Sequence, residues 1–286
     1  MMFRPFRRTT QFAVFTFMFL VPLLNYYEIY TITGTFYAIN IGGLSIADPA
    51  VILQTVFAVG NVAVPILGAI LFPVVLALLF GRIWCGWMCP YHIVADATEW
   101  VRVHWLARLY KRDQPVSYPV AQSFKANSMR FGFLILGTIL AGAIGIPALN
   151  FVSAPGILST EAMILVKEHM ISLEFCFIAT LVLLELTILP RFWCRLFCPT
   201  GSCISVIRMS FTLRVVNELQ KIRKPCCKDN FCASACPMGL QPAIEADNLL
   251  CTNCARCIDA CKERHGTGRL HFHGFSMGNL FRENKQ

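Results

Sequence analysis

Long uncharged runs dominate the chain, separated by short stretches where arginine and lysine gather. A helix needs about 20 apolar residues to cross the hydrocarbon core of a bilayer. Four segments reach that length: from about Thr10 to Tyr30, Val62 to Gly81, Phe131 to Leu149 and Leu173 to Pro190. Pro65 and Pro73 lie inside the second, and membrane helices tolerate them. The first apolar run is too long for the core of a cleavable signal and has no small-residue cleavage site after it, so it reads as a membrane helix. The pattern predicts four transmembrane helices.

Charge orients them. Arg4, Arg7 and Arg8 precede the first helix, and the connection Arg82 to Arg130 adds Arg102, Arg108, Lys111, Arg112 and Lys125. The loop Thr31 to Asn61 has no lysine or arginine, and Asn150 to Ser172 has only Lys167. Positive residues stay inside, which predicts cytoplasmic termini in a bacterial inner membrane. Every cysteine except Cys176, read as a packing residue, then falls on the cytoplasmic side. Composition agrees: 56% of the 286 residues are hydrophobic and 14% are charged, against roughly 25% charged in soluble domains. The net charge of +9 is explained by the inside loops, and no nucleic-acid partner is expected.

The sequence also repeats. Arg82-Ile-Trp-Cys-Gly-Trp-Met-Cys-Pro90 matches Arg191-Phe-Trp-Cys-Arg-Leu-Phe-Cys-Pro199. Each copy closes an inward-running helix, and each follows an external-loop proline, Pro49 or Pro155. A duplicated two-helix unit results, an arrangement in which membrane proteins build sites between repeats. Residues 1–205 form the membrane domain. After Cys203 the chain turns polar and basic, Phe211 to Val215 alternates like a strand, and residues 206–275 form a small cysteine-rich α+β domain. Residues 276–286 are a tail.

Fourteen cysteines in tight local groups point to thiolate ligation. Cys251-x-x-Cys254-x-x-Cys257-x-x-x-Cys261 has the spacing of a bacterial ferredoxin run, which delivers three thiolates to one cubane and the fourth to another. A zinc site accounts for one such run but not for a paired second one. That second run is Cys226-Cys227-Lys-Asp229-Asn-Phe-Cys232-Ala-Ser-Ala-Cys236-Pro237, with aspartate where the usual middle cysteine stands. Cys227 replacing it, Asp229 ligating, and a three-iron cluster are the alternatives. The favoured assignment is two [4Fe–4S] clusters, one on Cys251, Cys254, Cys257 and Cys236, the other on Cys226, Cys227, Cys232 and Cys261. His271 and His273 flank Phe272 on a strand-like stretch and read as surface residues.

The membrane-edge pairs Cys85/Cys89 and Cys194/Cys198 put two thiols on one helix face if the helix continues, although the prolines that follow end or turn it. Binding a metal, exchanging disulfides, lying beside a quinone, or simply packing are the open roles. Glu185, inside the fourth helix, and Glu28, near the outer end of the first, are ionisable groups at membrane depth and so candidates for taking a proton from a quinol. Asp48 completes that candidate set.

On these helices, motifs and ferredoxin runs, with Ala47-Asp48-Pro49 followed by Gln54, nearly the whole chain resembles the NapH/MauN ferredoxin-type membrane proteins. The resemblance implies a quinol dehydrogenase membrane component. It would draw electrons from the quinone pool within membrane lipid and pass them to an iron–sulfur partner of the NapG/MauM kind and a periplasmic reductase such as nitrate reductase. The related CcoG branch implies copper reduction and maturation instead, and a plain membrane anchor for a soluble redox partner is a third reading.

Overall fold

The computed structural model describes residues 3–28, 30–60, 64–106, 123–217, 231–245, 248–265 and 270–274. It is mostly helical. Helix α1 spans Phe3–Tyr26. A three-stranded antiparallel meander follows: β1 (Ile32–Thr35), β2 (Ala38–Ile41) and β3 (Leu44–Ala47). Gly42 and Gly43, both at positive φ, make its second turn, a conformation that costs any other residue strain. Helix α2 (Pro49–Val59) leads to α3 (Val64–Phe80). A π-helical turn, Trp84–Met88, then leads to α4 (Pro90–Val101).

The second half repeats the plan without the sheet. Helix α5 (Ser123–Ile144) is followed by a 3-10 turn, Ala148–Val152, then α6 (Ala154–Glu168) and α7 (Phe175–Thr187). The short α8 (Phe192–Leu196) leads to α9 (Pro199–Val206). Four of these helices, α1, α3, α5 and α7, fall on the segments expected to cross a membrane. Two helical stretches, Phe3–Tyr26 and Phe124–Ile144, are long and apolar enough to do so. Their most apolar windows are only 28% and 22% buried. Their outward faces carry Phe12, Phe15, Leu136 and Ile139, as a bilayer requires and a soluble core does not.

The stretches read as external loops are not loops. Thr31 to Asn61 holds the sheet and α2, and Asn150 to Ser172 holds α6. At 11 and 15 residues, α2 and α6 fall short of the roughly 20 that a span needs, as do α3 at 17 and α7 at 13, so helix length alone does not separate the two sets. Asp48 caps α2, its Oδ1 accepting from Ala50 N at 2.7 Å. Gln54 of α2 is buried, and its Oε1 accepts from Leu149 N at 2.7 Å, tying the short helix of one repeat to the turn before the short helix of the other.

The remaining elements are β4 (Arg214–Asn217), α10 (Phe231–Ser234), α11 (Pro242–Glu245), α12 (Arg256–His265) and β5 (Leu270–His273), with β4 and β5 paired antiparallel. Val215, Leu270 and Phe272 are buried. His273 is exposed and His271 partly so, in line with a surface role. Cys176 is exposed on α7, so it is not a core packing residue.

Candidate electron-transfer centre

Each membrane-edge motif ends on the same local geometry. Cys89 and Cys198 are extended, with ψ of 122° and 112°, because a following proline excludes the α conformation. Each nonetheless donates its N–H five residues back, Cys89 to Trp84 O at 2.9 Å and Cys198 to Trp193 O at 3.0 Å. The two thiols of a motif therefore sit on one widened, π-type turn rather than on a regular helix. Cys198, Cys89 and Cys194 pack around one core with Tyr91, Ala154 and Trp193. A charge on Cys89 would be felt by Cys85 and Cys198, and one on Cys194 by Cys89 and Cys198. The pairs from the two repeats thus face each other.

Each motif also meets the short helix of the opposite repeat. Thr200, after Cys198-Pro199, donates its hydroxyl to Asp48 Oδ2 at 2.5 Å. Tyr91, after Cys89-Pro90, packs on Ala154 and Ile157 and donates to Glu185 Oε1 at 2.9 Å. Asp48 therefore lies beside the second motif and not in an external loop. Glu185 is buried beside the first motif. Glu28 is exposed, at φ 62° in the turn after α1, and reaches neither.

A cavity of about 160 Å³ opens next to Asp48. Phe17 of α1, Tyr37 of the sheet, Leu76 of α3, Trp84 and Thr200 line it. Phe36 stacks on Trp84 at 5.4 Å and closes one wall. The lining is apolar apart from Tyr37, Asp48 and Thr200.

The cysteine-rich domain seats directly on the first motif. A Cβ at Gly86 would lie 2.6 Å from Thr252 O and 3.2 Å from Cys254 Cβ, so only glycine lets the Cys251–Cys254 loop approach this closely. Trp87 Nε1 donates to Asn253 O at 3.0 Å, and Asn253 Nδ2 donates to Phe80 O at 3.1 Å and Leu213 O at 2.7 Å. Arg82 Nη1 donates to Leu249 O at 2.8 Å.

Cys236, Cys251, Cys254 and Cys257 line one cavity. Burial pushes Cys236 up to about 12 and Cys251 to about 11, so they stay protonated until a metal displaces the proton. Among the described residues no three His, Cys, Asp or Glu side chains close on a single ion. The donor set fits a cubane, whose thiolates stand at separate corners. Cys232 and Cys261 are buried. Cys226 and Cys227 lie outside the described residues, as does Asp229.

A charged network locks the assembly where α4, the second motif and α12 meet. Asp96 of α4 takes Arg191 Nη2, Arg256 Nη2 at 2.7 Å and Arg8 Nη1 at 2.9 Å. Glu99 takes Arg256 at 3.0 Å and Arg191 at 3.2 Å. Burial works to raise the Asp96 carboxyl, but the charges of Arg191, Arg256 and Arg7 outweigh it and hold the group well below the ordinary range. Phe3 N donates to Asp259 Oδ1 at 3.2 Å, and the Phe3 ring meets Phe272 edge-on.

Tyr37, Tyr91, Arg130 and Thr200 were not singled out by sequence. Sequence places Arg130 at the end of a positively charged loop, yet it sits inside α5 at no measurable exposure. An ionisable residue within a membrane helix is itself the signal that could have found it.

Thiol sets this close, joined by a domain that docks on a paired cysteine motif, define an iron–sulfur protein of the electron-transferring ferredoxin type. Residues 62–113 and 170–210, the two motif-bearing segments, match a family model described as a 4Fe-4S binding domain. The methylamine utilization ferredoxin-type protein MauN of Paracoccus denitrificans is 30% identical over 247 residues, 84% of this chain and 78% of that protein. The ferredoxin-type protein NapH of Haemophilus influenzae is 24% identical over 277 residues, 90% and 86% of the two chains. NapH of Escherichia coli is 25% identical over 233 residues, 76% and 72% of the two chains. No solved structure matches. The chain belongs to the MauN and NapH family of ferredoxin-type proteins.

Proposed function

We propose that the protein oxidises a quinol in the cavity beside Asp48 and feeds the electrons to its cysteine-ligated iron–sulfur centres. The carrying observation is the cavity's position. It is an apolar space with one buried carboxylate, walled by Trp84 and Thr200, the neighbours of Cys85 and Cys198. A quinone ring suits such a lining, with few polar groups placed to orient it.

Quinol gives up two electrons and two protons on becoming quinone. Asp48, already accepting from Thr200, stands ready to take the proton of one hydroxyl, and the other is released to solvent. The clusters, when bound, would supply one-electron carriage at a potential the protein sets. Cys251, Cys254, Cys257 and Cys236 would hold one cluster, and Cys232 and Cys261 with Cys226 and Cys227 the second. The packing of the Cys251–Cys254 loop on Gly86 gives the short path that such transfer needs.

In this reading α1, α3, α5 and α7 cross the inner membrane, while α2 and α6 enter it only part-way. Both termini and the ferredoxin domain lie in the cytoplasm, and an iron–sulfur partner relays electrons to a periplasmic reductase. The names of the NapH and MauN relatives support redox work of this class. Asp48→Asn tests the quinol site. Quinol-dependent reduction of the clusters should fall roughly 100-fold or more, the usual worth of a positioned proton acceptor, while dithionite still reduces them fully. Unchanged quinol turnover would remove Asp48 and its cavity from the reaction.

A further inference from the structure

Among the described side chains Arg130 stands apart. It is fully buried, and Nε, Nη1 and Nη2 all lack a hydrogen-bond partner among the described residues. Burying an unpaired cation is among the costliest things a fold can do. A second guanidinium stands beside it. A Cβ placed on Gly201 would lie 2.7 Å from Arg82 Nη2, 3.5 Å from Cys198 Sγ and 3.7 Å from Arg130 Nη2. Two like charges converge there, and among the described residues neither guanidinium is paired with a carboxylate. Asp48 is engaged by Thr200 and Ala50, Glu185 by Tyr91, and Asp96 by Arg191, Arg256 and Arg8. What Arg130 does face is sulfur, with Cys198, Cys85 and Cys194 all within reach of its charge.

We infer that Cys85, Cys89, Cys194 and Cys198 hold one further [4Fe–4S] cluster, shared between the two repeats, with Arg130 and Arg82 as its counter-charges. This rests on the reading of the chain as an iron–sulfur electron carrier, and it adds a third centre with a named set of ligands and partners. Protonated thiols or a pair of disulfides are neutral and would leave both arginines uncompensated. Four thiolates on a four-iron core form a dianion in the oxidised state and match two guanidiniums. A single zinc or copper ion would also be anionic on four thiolates, but no three of these side chains close on one ion. The ligands come two from each repeat on matching extended Cys-Pro turns. The site lies between the cavity walled by Trp84 and Thr200 and the loop that carries Cys251 and Cys254. That is where a carrier between quinol and ferredoxin domain belongs.

The test is metal content and redox titration of the anaerobically purified full chain. Cys89→Ser and Cys198→Ser should each lose about four irons per chain relative to the parent, with the ferredoxin-domain signals retained. Arg130→Gln should keep its iron and lower the midpoint potential of one cluster alone, because removing a cation disfavours the more negative, reduced state. Arg130→Lys should restore most of that shift. Iron content unchanged in both serine variants would overturn the inference, as would zinc or copper in place of the missing iron. Should the serine variants fail to accumulate in membranes, the potentials decide, and an Arg130→Gln protein titrating like the parent overturns it too. Quinol activity enters none of these readouts, so the quinol site and this cluster can fail separately.

Discussion

At the scale of single residues the site is governed by what each buried charge is given. Asp96 is 2% exposed as a side chain and is shared by Arg8, Arg191 and Arg256, so it joins the N-terminus, the second motif and the ferredoxin domain through one carboxylate. Truncating one partner of a buried ionic set leaves the others stranded. Asp96→Ala should therefore destabilise the assembly by about 3–5 kcal/mol, read as a lower melting temperature of the detergent-solubilised protein and loosened protection of α12 in hydrogen exchange. Its pH dependence follows from the depressed carboxyl. The contribution is fully present above the unfolded value of about 3.9 and is lost only as pH falls below that towards the folded value. Melting curves of parent and variant should thus keep a constant gap from neutral pH down to about pH 5 and converge in stronger acid.

Elements explain how the two cysteine-rich parts touch. The π-helical turn Trp84–Met88 shortens the path between Cys85 and Cys89 and turns Gly86 towards the Cys251–Cys254 loop. No side chain fits there. Gly86→Val should push the loop away, because its Cβ would have to displace the backbone oxygen of Thr252 at 2.6 Å. The expected result is a protein that keeps its membrane helices but reduces the ferredoxin clusters from quinol at least roughly tenfold more slowly, since overpacking at such a contact forces backbone shifts. Stopped-flow absorbance of the clusters checks it, and parent-like reduction would show that the contact is not on the electron path. The short helices α2 and α6 do related work inside the membrane domain. Each starts beside the other repeat's Cys-Pro turn, which brings the α2 cap, Asp48, to the second motif.

Across the whole molecule the duplication places one four-thiol face between two halves and the ferredoxin domain beneath it. In the proposed orientation, argued from loop charge, that domain lies in the cytoplasm. A phosphatase or fluorescent reporter fused after Gln286 should behave as cytoplasmic, and one inserted between α6 and α7, near Ser172, as periplasmic. Phosphatase activity from the C-terminal fusion would invert the orientation.

Much of this was legible in the chain. The four long apolar runs, the repeated nine-residue motif and the ferredoxin spacing each rest on local sequence, and local sequence is what periodicity and ligand spacing report. The strand expected at Phe211 to Val215 appears a few residues on, at Arg214–Asn217, and Cys236 joins Cys251, Cys254 and Cys257 around one cavity. What the sequence could not decide was the content of the two external stretches. Their helices have only 11 and 15 residues, and the sheet before α2 packs on α1 and α3 as well as pairing among its own strands. That Asp48 lies beside Cys198 therefore depended on how α2 packs against the second motif, where Thr200 bonds Asp48. Arg130 is the plainest case. By sequence it is one more positive residue at a helix end. Its lack of a hydrogen-bond partner among the described residues, and its approach to Cys198 and Arg82, exist only once α5 is packed against both repeats, because the cost of an unpaired charge depends on burial, and burial is a property of the folded chain.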